Sequence, residues 1–173
     1  SKGVKEFVEA ARFFKNNNPD ASLRFLLVGS PDSENPETVP YNVLRSWCSE
    51  KVVEWYEHTD DIVSIYGNTS VAVLPSYREG MPKSLLEAMA CGLPVITTFA
   101  RGCDDLVQDG VNGLKVPVKD SAALFKAMKK CYLDTAICQN MGENGREKAE
   151  NIYSMSVINR QILGIYIKIS HCS

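Results

Sequence analysis

The stretch from Val71 to Thr98 constrains this chain more than any other. An apolar run, Val71-Ala-Val-Leu-Pro75, leads into residues 76–90, which read Ser-Tyr-Arg-Glu-Gly-Met-Pro-Lys-Ser-Leu-Leu-Glu-Ala-Met-Ala. A second apolar run, Pro94-Val-Ile-Thr-Thr98, follows. Short runs of this kind read as strands buried on both faces, which is the parallel-sheet pattern. A helix pattern opens between them at about Pro82, which suits the first helical position because its missing N–H costs nothing there. Cys91-Gly92 marks the helix end. The unit is therefore strand, loop, helix, strand.

The mouth of that helix suits a phosphorylated ligand. The first turn of a helix leaves backbone N–H groups without partners, and the helix dipole favours negative charge. Gly80 lets the backbone turn tightly and a ligand approach closely. Lys83 and Ser84 add a cation and a hydroxyl. Glu79 lies in the loop before the helix, and Glu87 about one and a half turns inside it. Helical side chains lean toward the N-terminus, so Glu87 can reach back to the mouth. Each carboxylate can accept hydrogen bonds from vicinal hydroxyls, as on a ribose or a hexose.

Strand and helix patterns alternate along the rest of the chain. Residues 4–16 carry apolar positions at helical spacing, and 23–28 form an apolar run ending at Gly29-Ser30-Pro31. A helix over 41–49, a strand over 52–56 and a short helix over 62–66 follow, the last with Asp60-Asp61 at its start. Beyond the central unit come a loop over 102–106 leading into a short helix, a strand over 114–116 and a helix from Asp120 or Ser121 to about 133. Two further helices fall near 136–151 and 155–169. Such alternation predicts one α/β domain over 1–173, a Rossmann-like parallel sheet wound on both faces. Ligands of such sheets bind at the carboxyl ends of the strands.

Composition excludes several functions. The net charge of -2 gives no electrostatic case for nucleic acid. Lys126, Lys129 and Lys130 read as one solvated helix face. The six cysteines form no C-x-x-C pair, and only His58 and His171 could join them, so neither a zinc site nor a disulfide framework is expected. No signal peptide or membrane-length apolar run is visible. The abrupt opening, Ser1-Lys2-Gly3 straight into a helix pattern, reads as a piece of a longer chain.

Glu79 and Glu87, with seven residues between them in this context, resemble the E-x7-E signature of family 4 glycosyltransferases, retaining enzymes of the two-domain GT-B architecture. Lys2-Gly3, the strand ending at Gly29, and Asp109-Gly-Val-Asn-Gly113-Leu match the same family's order, so the resemblance covers nearly the whole chain. The wording around Glu79 is similar to members that build bacterial surface polysaccharides. The resemblance implies the C-terminal, donor-binding half of such an enzyme. It implies that Lys2 pairs with the donor diphosphate, that the amides around Met81, Pro82, Lys83 and Ser84 cap the same phosphates, and that Gly29 and Ser30 lie at the donor. Glu79 would meet the transferred sugar beside the reacting carbon, and Glu87 the ribose hydroxyls.

Further expectations follow from the same resemblance. The co-substrate is a nucleotide sugar, a UDP-sugar, with no cofactor and no metal, since no Asp-x-Asp triplet is present to hold one. The acceptor is a glycan or lipid-linked saccharide bound by an N-terminal domain outside this chain, in the cytoplasm or peripherally at the inner face of a membrane. The fragment alone would be inactive. The family usually has a glycine where this chain has Glu57, which puts base contacts there in question. A GT-B epimerase or phosphorylase, and a non-catalytic nucleotide-binding or scaffold module, remain as alternatives. Of the other residues, His58 reads as a loop residue, Trp47 and Trp55 as packing residues, and Cys91 and Cys103 as small buried residues.

Overall fold

Three helices begin at aspartates that cap them. Asp61 accepts from the Ser64 amide at 3.0 Å, Asp120 from Ala123 at 2.8 Å and Asp134 from Ile137 at 3.0 Å. Each bond satisfies an amide that the first helical turn leaves free. The computed structural model describes residues 2–32 and 34–170. His171 and Cys172, weighed above as zinc ligands, lie outside them. The elements are α1 (Val4–Asn17), β1 (Leu26–Val28), α2 (Tyr41–Ser49), β2 (Glu54–Tyr56), α3 (Ile62–Gly67), β3 (Ala72–Leu74) and α4 (Lys83–Ala90). Then come β4 (Val95–Thr98), α5 (Cys103–Leu106), β5 (Gly113–Val116), α6 (Ser121–Leu133), α7 (Thr135–Lys148), a π-helical segment (Ala149–Tyr153) and α8 (Met155–Ser170).

All strand pairs are parallel. β1 pairs with β2, Leu27 opposite Trp55. β4 lies between β3 and β5, with Ile96 opposite both Val73 and Leu114. The expected single sheet is thus divided into a two-stranded and a three-stranded one, with no ladder between β1 and β3 among the described residues. β1 is also shorter than the apolar run predicts. Leu23 bonds back to the Ala21 carbonyl instead, and the β1–β2 pairing is entered only by the bond from the Glu54 amide to the Phe25 carbonyl.

The two sheets share a core all the same. Phe14, Phe25, Ile96 and Leu124 pack in one cluster, with Leu27 and Val73 against it. Leu85, Met89, Val95 and Leu106 form a second cluster. Val95 and Ile96 are neighbours on β4 and point to opposite faces, so each face of that strand has its own core. This is the physical content of a doubly wound sheet, and it explains why all four β4 residues are buried. Burying Leu85 and Met89 contributes about 1.5–3 kcal/mol each, and this holds α4 in place.

α7 reaches the end of α4 through a glycine. A Cβ on Gly142 would lie 2.1 Å from the Gly92 carbonyl oxygen. Gly92 itself has φ +76° and closes α4, its amide donating to Met89. Gly142→Ala is expected to destabilise the domain by about 2 kcal/mol, after the helix propensity gained by alanine is set against the clash. Thermal unfolding should show a midpoint lowered by roughly 4–8 °C. An unchanged midpoint would mean that α7 moves aside without cost.

Candidate functional site

Parallel pairing puts the loops after β1 and β2 at one end of the first sheet, and those after β3, β4 and β5 at one end of the second. Around Glu79 these loops are joined by backbone bonds. The Glu79 amide donates to Arg101, in the loop after β4, at 3.2 Å, and Phe99 donates to Val116 of β5 at 3.1 Å. Two glycines make the approach possible. A Cβ on Gly102, at φ +86°, would lie 2.3 Å from the Gly80 carbonyl oxygen and 2.5 Å from that of Glu79. A Cβ on Gly3, at φ +68°, would lie 2.1 Å from the Pro75 carbonyl oxygen. Gly3 therefore brings the start of α1, and Lys2 with it, onto the end of β3.

Lys2 and Glu79 meet there. The Lys2 ammonium lies 2.6 Å from Glu79 Oε1, with 11% of the glutamate side chain exposed. The Ser76 hydroxyl donates to the same oxygen at 2.6 Å. Ser76 is fully buried, and the Thr98 hydroxyl donates to its carbonyl. Tyr77, in the same loop, is braced by α1 through its hydroxyl on Glu6, with Lys119 5.1 Å from its ring centroid. Burial, with the Glu6 bond after it, pushes the Tyr77 phenol up to about 12.

The mouth of α4 differs from the sequence expectation at two residues. Pro82 is the residue before the helix, in an extended conformation with ψ 94°, and Lys83 is the first helical residue. The Pro82 carbonyl accepts from Leu85 at 3.0 Å and from Leu86 at 3.3 Å. A proline preceding the helix can still offer that carbonyl, but it has no side-chain group to cap the free amides. Lys83 and Ser84 amides have no acceptor among the described residues. Gly80 is not what allows the tight turn: it has no positive φ, and a Cβ there would meet nothing. The close packing is made by Gly102 across the loop, while Gly80 faces open space. Met81 is 54% exposed beside it.

Glu87 is exposed on α4. Tyr66 of α3 lies next to it and donates to the Ser84 carbonyl at 3.0 Å. Burial, and then the charge of Glu87, push the Tyr66 phenol up to about 12. Tyr66 thus anchors the first turn of α4 beneath the mouth. Nothing in sequence spacing joins it to α4, and pairing across the fold was its only signal.

Gly29 and Ser30 lie at the ends of β1 and β2. Gly29, at φ +128°, donates to the Tyr56 carbonyl at 2.9 Å. Ser30 donates to the Glu57 carbonyl at 2.7 Å. The Glu57 carboxylate accepts from Tyr41 at 2.7 Å. Trp55 donates to the Gly29 carbonyl at 2.9 Å, with its ring edge-on to Tyr41 at 5.5 Å. Trp47 is buried and packs in the core. The structure brings Lys2 to Glu79, and no described hydrogen bond joins Ser30 to either.

Of the cysteines, Cys103 is buried under the Glu79 loop, and burial raises its thiol. Cys91 is exposed, contrary to the sequence reading, because it is the residue where α4 stops. His58 is a loop residue, 3.1 Å from Asp60. Among the described residues no three His, Cys, Asp or Glu side chains form a cluster able to hold a metal ion. No helix among them is long and apolar enough to cross a membrane.

This fold has parallels in solved GT-B enzymes. Sucrose-phosphate synthase from Thermosynechococcus elongatus superposes with a TM-score of 0.82 at 28% identity, over 99% of this chain and 43% of that one. HepE from Anabaena, solved in complex with UDP, gives 0.82 at 23% identity, over 96% and 45%. The match is to one Rossmann-like half. At the level of sequence, the family model for glycosyl transferases group 1 matches residues 1–134. The chain belongs to that family. A relative from Campylobacter jejuni, N,N'-diacetylbacillosaminyl-diphospho-undecaprenol alpha-1,3-N-acetylgalactosaminyltransferase, is 32% identical over 168 residues. That alignment takes in 97% of this chain and 42% of the relative, so the chain spans about two fifths of its length.

Proposed function

We propose that this chain is the donor-binding half of a family 4 retaining glycosyltransferase. The full protein would move a hexosyl group from a UDP-sugar to a lipid-linked or glycan acceptor in bacterial surface-polysaccharide assembly. The observation that carries the reading is the contact of Lys2 with Glu79 at the mouth of α4. In this reading the cation and carboxylate of that pair and the unpartnered amides of Lys83 and Ser84 serve one donor. The family membership and the name of the Campylobacter relative support the same reading.

In this proposal the diphosphate takes the amides of α4 and the Lys2 ammonium. Gly80 leaves room for it, Met81 and Pro82 line the approach, and Lys83 adds charge. The donor sugar lies against Glu79 and the ribose against Glu87, with Gly29 and Ser30 at the nucleotide end. The acceptor hydroxyl attacks the anomeric carbon on the face from which the diphosphate departs. The bond from that carbon to the diphosphate breaks, the bond to the acceptor oxygen forms, and the departing phosphate takes the acceptor's proton. Lys2 and the helix amides stabilise the growing negative charge, the kind of fixed electrostatics that lowers such barriers most. Neither cofactor nor metal is called for. The acceptor would be held by a further domain of the full protein at the cytoplasmic face of the membrane, and the isolated half would turn nothing over.

A screen of nucleotide sugars on the full-length protein, with mass detection of product, tests the function. Transfer or slow hydrolysis of a UDP-sugar is expected; inertness toward every donor would overturn the reading. In the same protein Glu87→Gln is expected to weaken UDP about tenfold and leave inorganic pyrophosphate unchanged, because a carboxylate accepting from two hydroxyls contributes roughly 1.5–3 kcal/mol. Equal loss of both ligands would place Glu87 outside the ribose site.

A further inference from the structure

Glu79 Oε1 has two hydrogen-bond donors of opposite character. The Ser76 hydroxyl, at 2.6 Å, belongs to a residue with 0% exposure. Its backbone carbonyl is held by the hydroxyl of Thr98, itself 1% exposed. The neighbouring Thr97 hydroxyl is tied in the same way to the Leu74 carbonyl at 2.8 Å. Buried hydroxyls are found where their hydrogen bonds are needed, because burying them without a partner is unfavourable. Ser76 therefore has one settled orientation, aimed at Glu79. The second donor, Lys2, has a side chain 60% exposed. An exposed lysine gains little from one carboxylate and recovers rotamer freedom when it leaves.

The two donors thus respond differently to an anion at the mouth of α4. A diphosphate competes with Glu79 for the Lys2 ammonium, since both are acceptors for it. It does not compete for the Ser76 hydroxyl, which lies below the loop. Both described bonds to the carboxylate end on Oε1, leaving Oε2 available to a sugar hydroxyl.

We propose that Ser76 is the positioning residue for Glu79, holding its carboxylate in place, while Lys2 is an exchangeable partner that leaves Oε1 when a diphosphate binds. The proposal rests on the reading of Glu79 as the carboxylate that meets the donor sugar. Ser76 touches no ligand itself and acts through Glu79. Thr98 supports it from behind by fixing the Ser76 backbone.

Steady-state kinetics of the full-length protein with its donor test this. Ser76→Ala is expected to lower kcat about tenfold, with the donor KM changed less than about twofold, because the carboxylate is present but no longer held. Thr98→Val is expected to lower kcat about threefold in the same manner. The reading specific to positioning is a double-mutant cycle. In a Glu79→Ala background, adding Ser76→Ala or Thr98→Val should change kcat by less than twofold, since there is no carboxylate left to hold. Wild-type kcat in both single variants, or effects that multiply with Glu79→Ala, would overturn the proposal. Thermal midpoints identify a variant that fails to fold; should Ser76→Ala do so, Thr98→Val and its cycle decide alone. A wild-type protein with no donor turnover overturns the proposed function and this inference with it, whereas an active wild type with an indifferent Ser76 overturns this inference only.

Discussion

Glu79→Ala in the full-length protein is expected to lower sugar transfer by roughly 10³-fold while leaving the fold and UDP binding intact. The geometry separates these effects. Glu79 takes no part in either core cluster; its side chain bonds Ser76 and Lys2 and nothing else among the described residues. An ion pair with one partner this exposed contributes at most about 1 kcal/mol to stability. Removing the carboxylate also frees Lys2, so UDP should bind as tightly as to the wild type, or up to about fivefold more tightly. Transfer assays beside UDP calorimetry check both halves of the expectation. Transfer within tenfold of wild type would remove Glu79 from the chemistry. Loss of UDP binding together with transfer would make it a residue of the fold.

Gly102→Ala carries the second large effect, and it acts through the backbone. The residue has φ +86° and ψ -43°, outside the regions open to residues with a Cβ. The added carbon would also lie 2.3 Å and 2.5 Å from the carbonyl oxygens of Gly80 and Glu79. Backbone strain and the clash together should destabilise the domain by about 3 kcal/mol or more, a fall of roughly 6–12 °C in unfolding midpoint. The clash can be relieved only by moving the Glu79 loop away from the loop after β4, so the folded fraction should also lose transfer activity. Unfolding curves and activity per folded molecule measure the two separately. A variant of wild-type stability would show that the loop opens freely, and the tight packing of Gly102 would then be incidental to the site.

Much of the architecture was legible because periodicity and punctuation are local. Apolar runs over 71–75 and 94–98 marked β3 and β4, and Cys91-Gly92 marked the end of α4. Asp61 and Asp120 announced helix starts by the chemistry of their side chains. Where local signals were shared between neighbouring positions, the reading slipped. Pro82 fits both the first helical position and the one before it, and only the backbone angles separate them. The run over 23–28 promised a longer β1, but a hydrogen bond to Ala21 claimed its first residue, Leu23. Gly80 was credited with the close approach that Gly102 makes possible from another loop, because a glycine's role depends on what lies across from it.

By itself the sequence determined the class of fold and the alternation of elements, and it singled out Glu79, Glu87 and the α4 mouth as a candidate site. These follow from residue types and spacings along one segment. The tertiary structure alone decided which groups meet there. Lys2 and Glu79 stand 77 positions apart and come within 2.6 Å only because Gly3 lets α1 press against the end of β3. Ser76 and Thr98 become a support for Glu79 only because β3 and β4 run side by side, with Leu74 opposite Thr97. Tyr66 reaches Ser84 from another helix. Contacts of this kind depend on packing between segments distant in sequence, and no pattern within one segment encodes them.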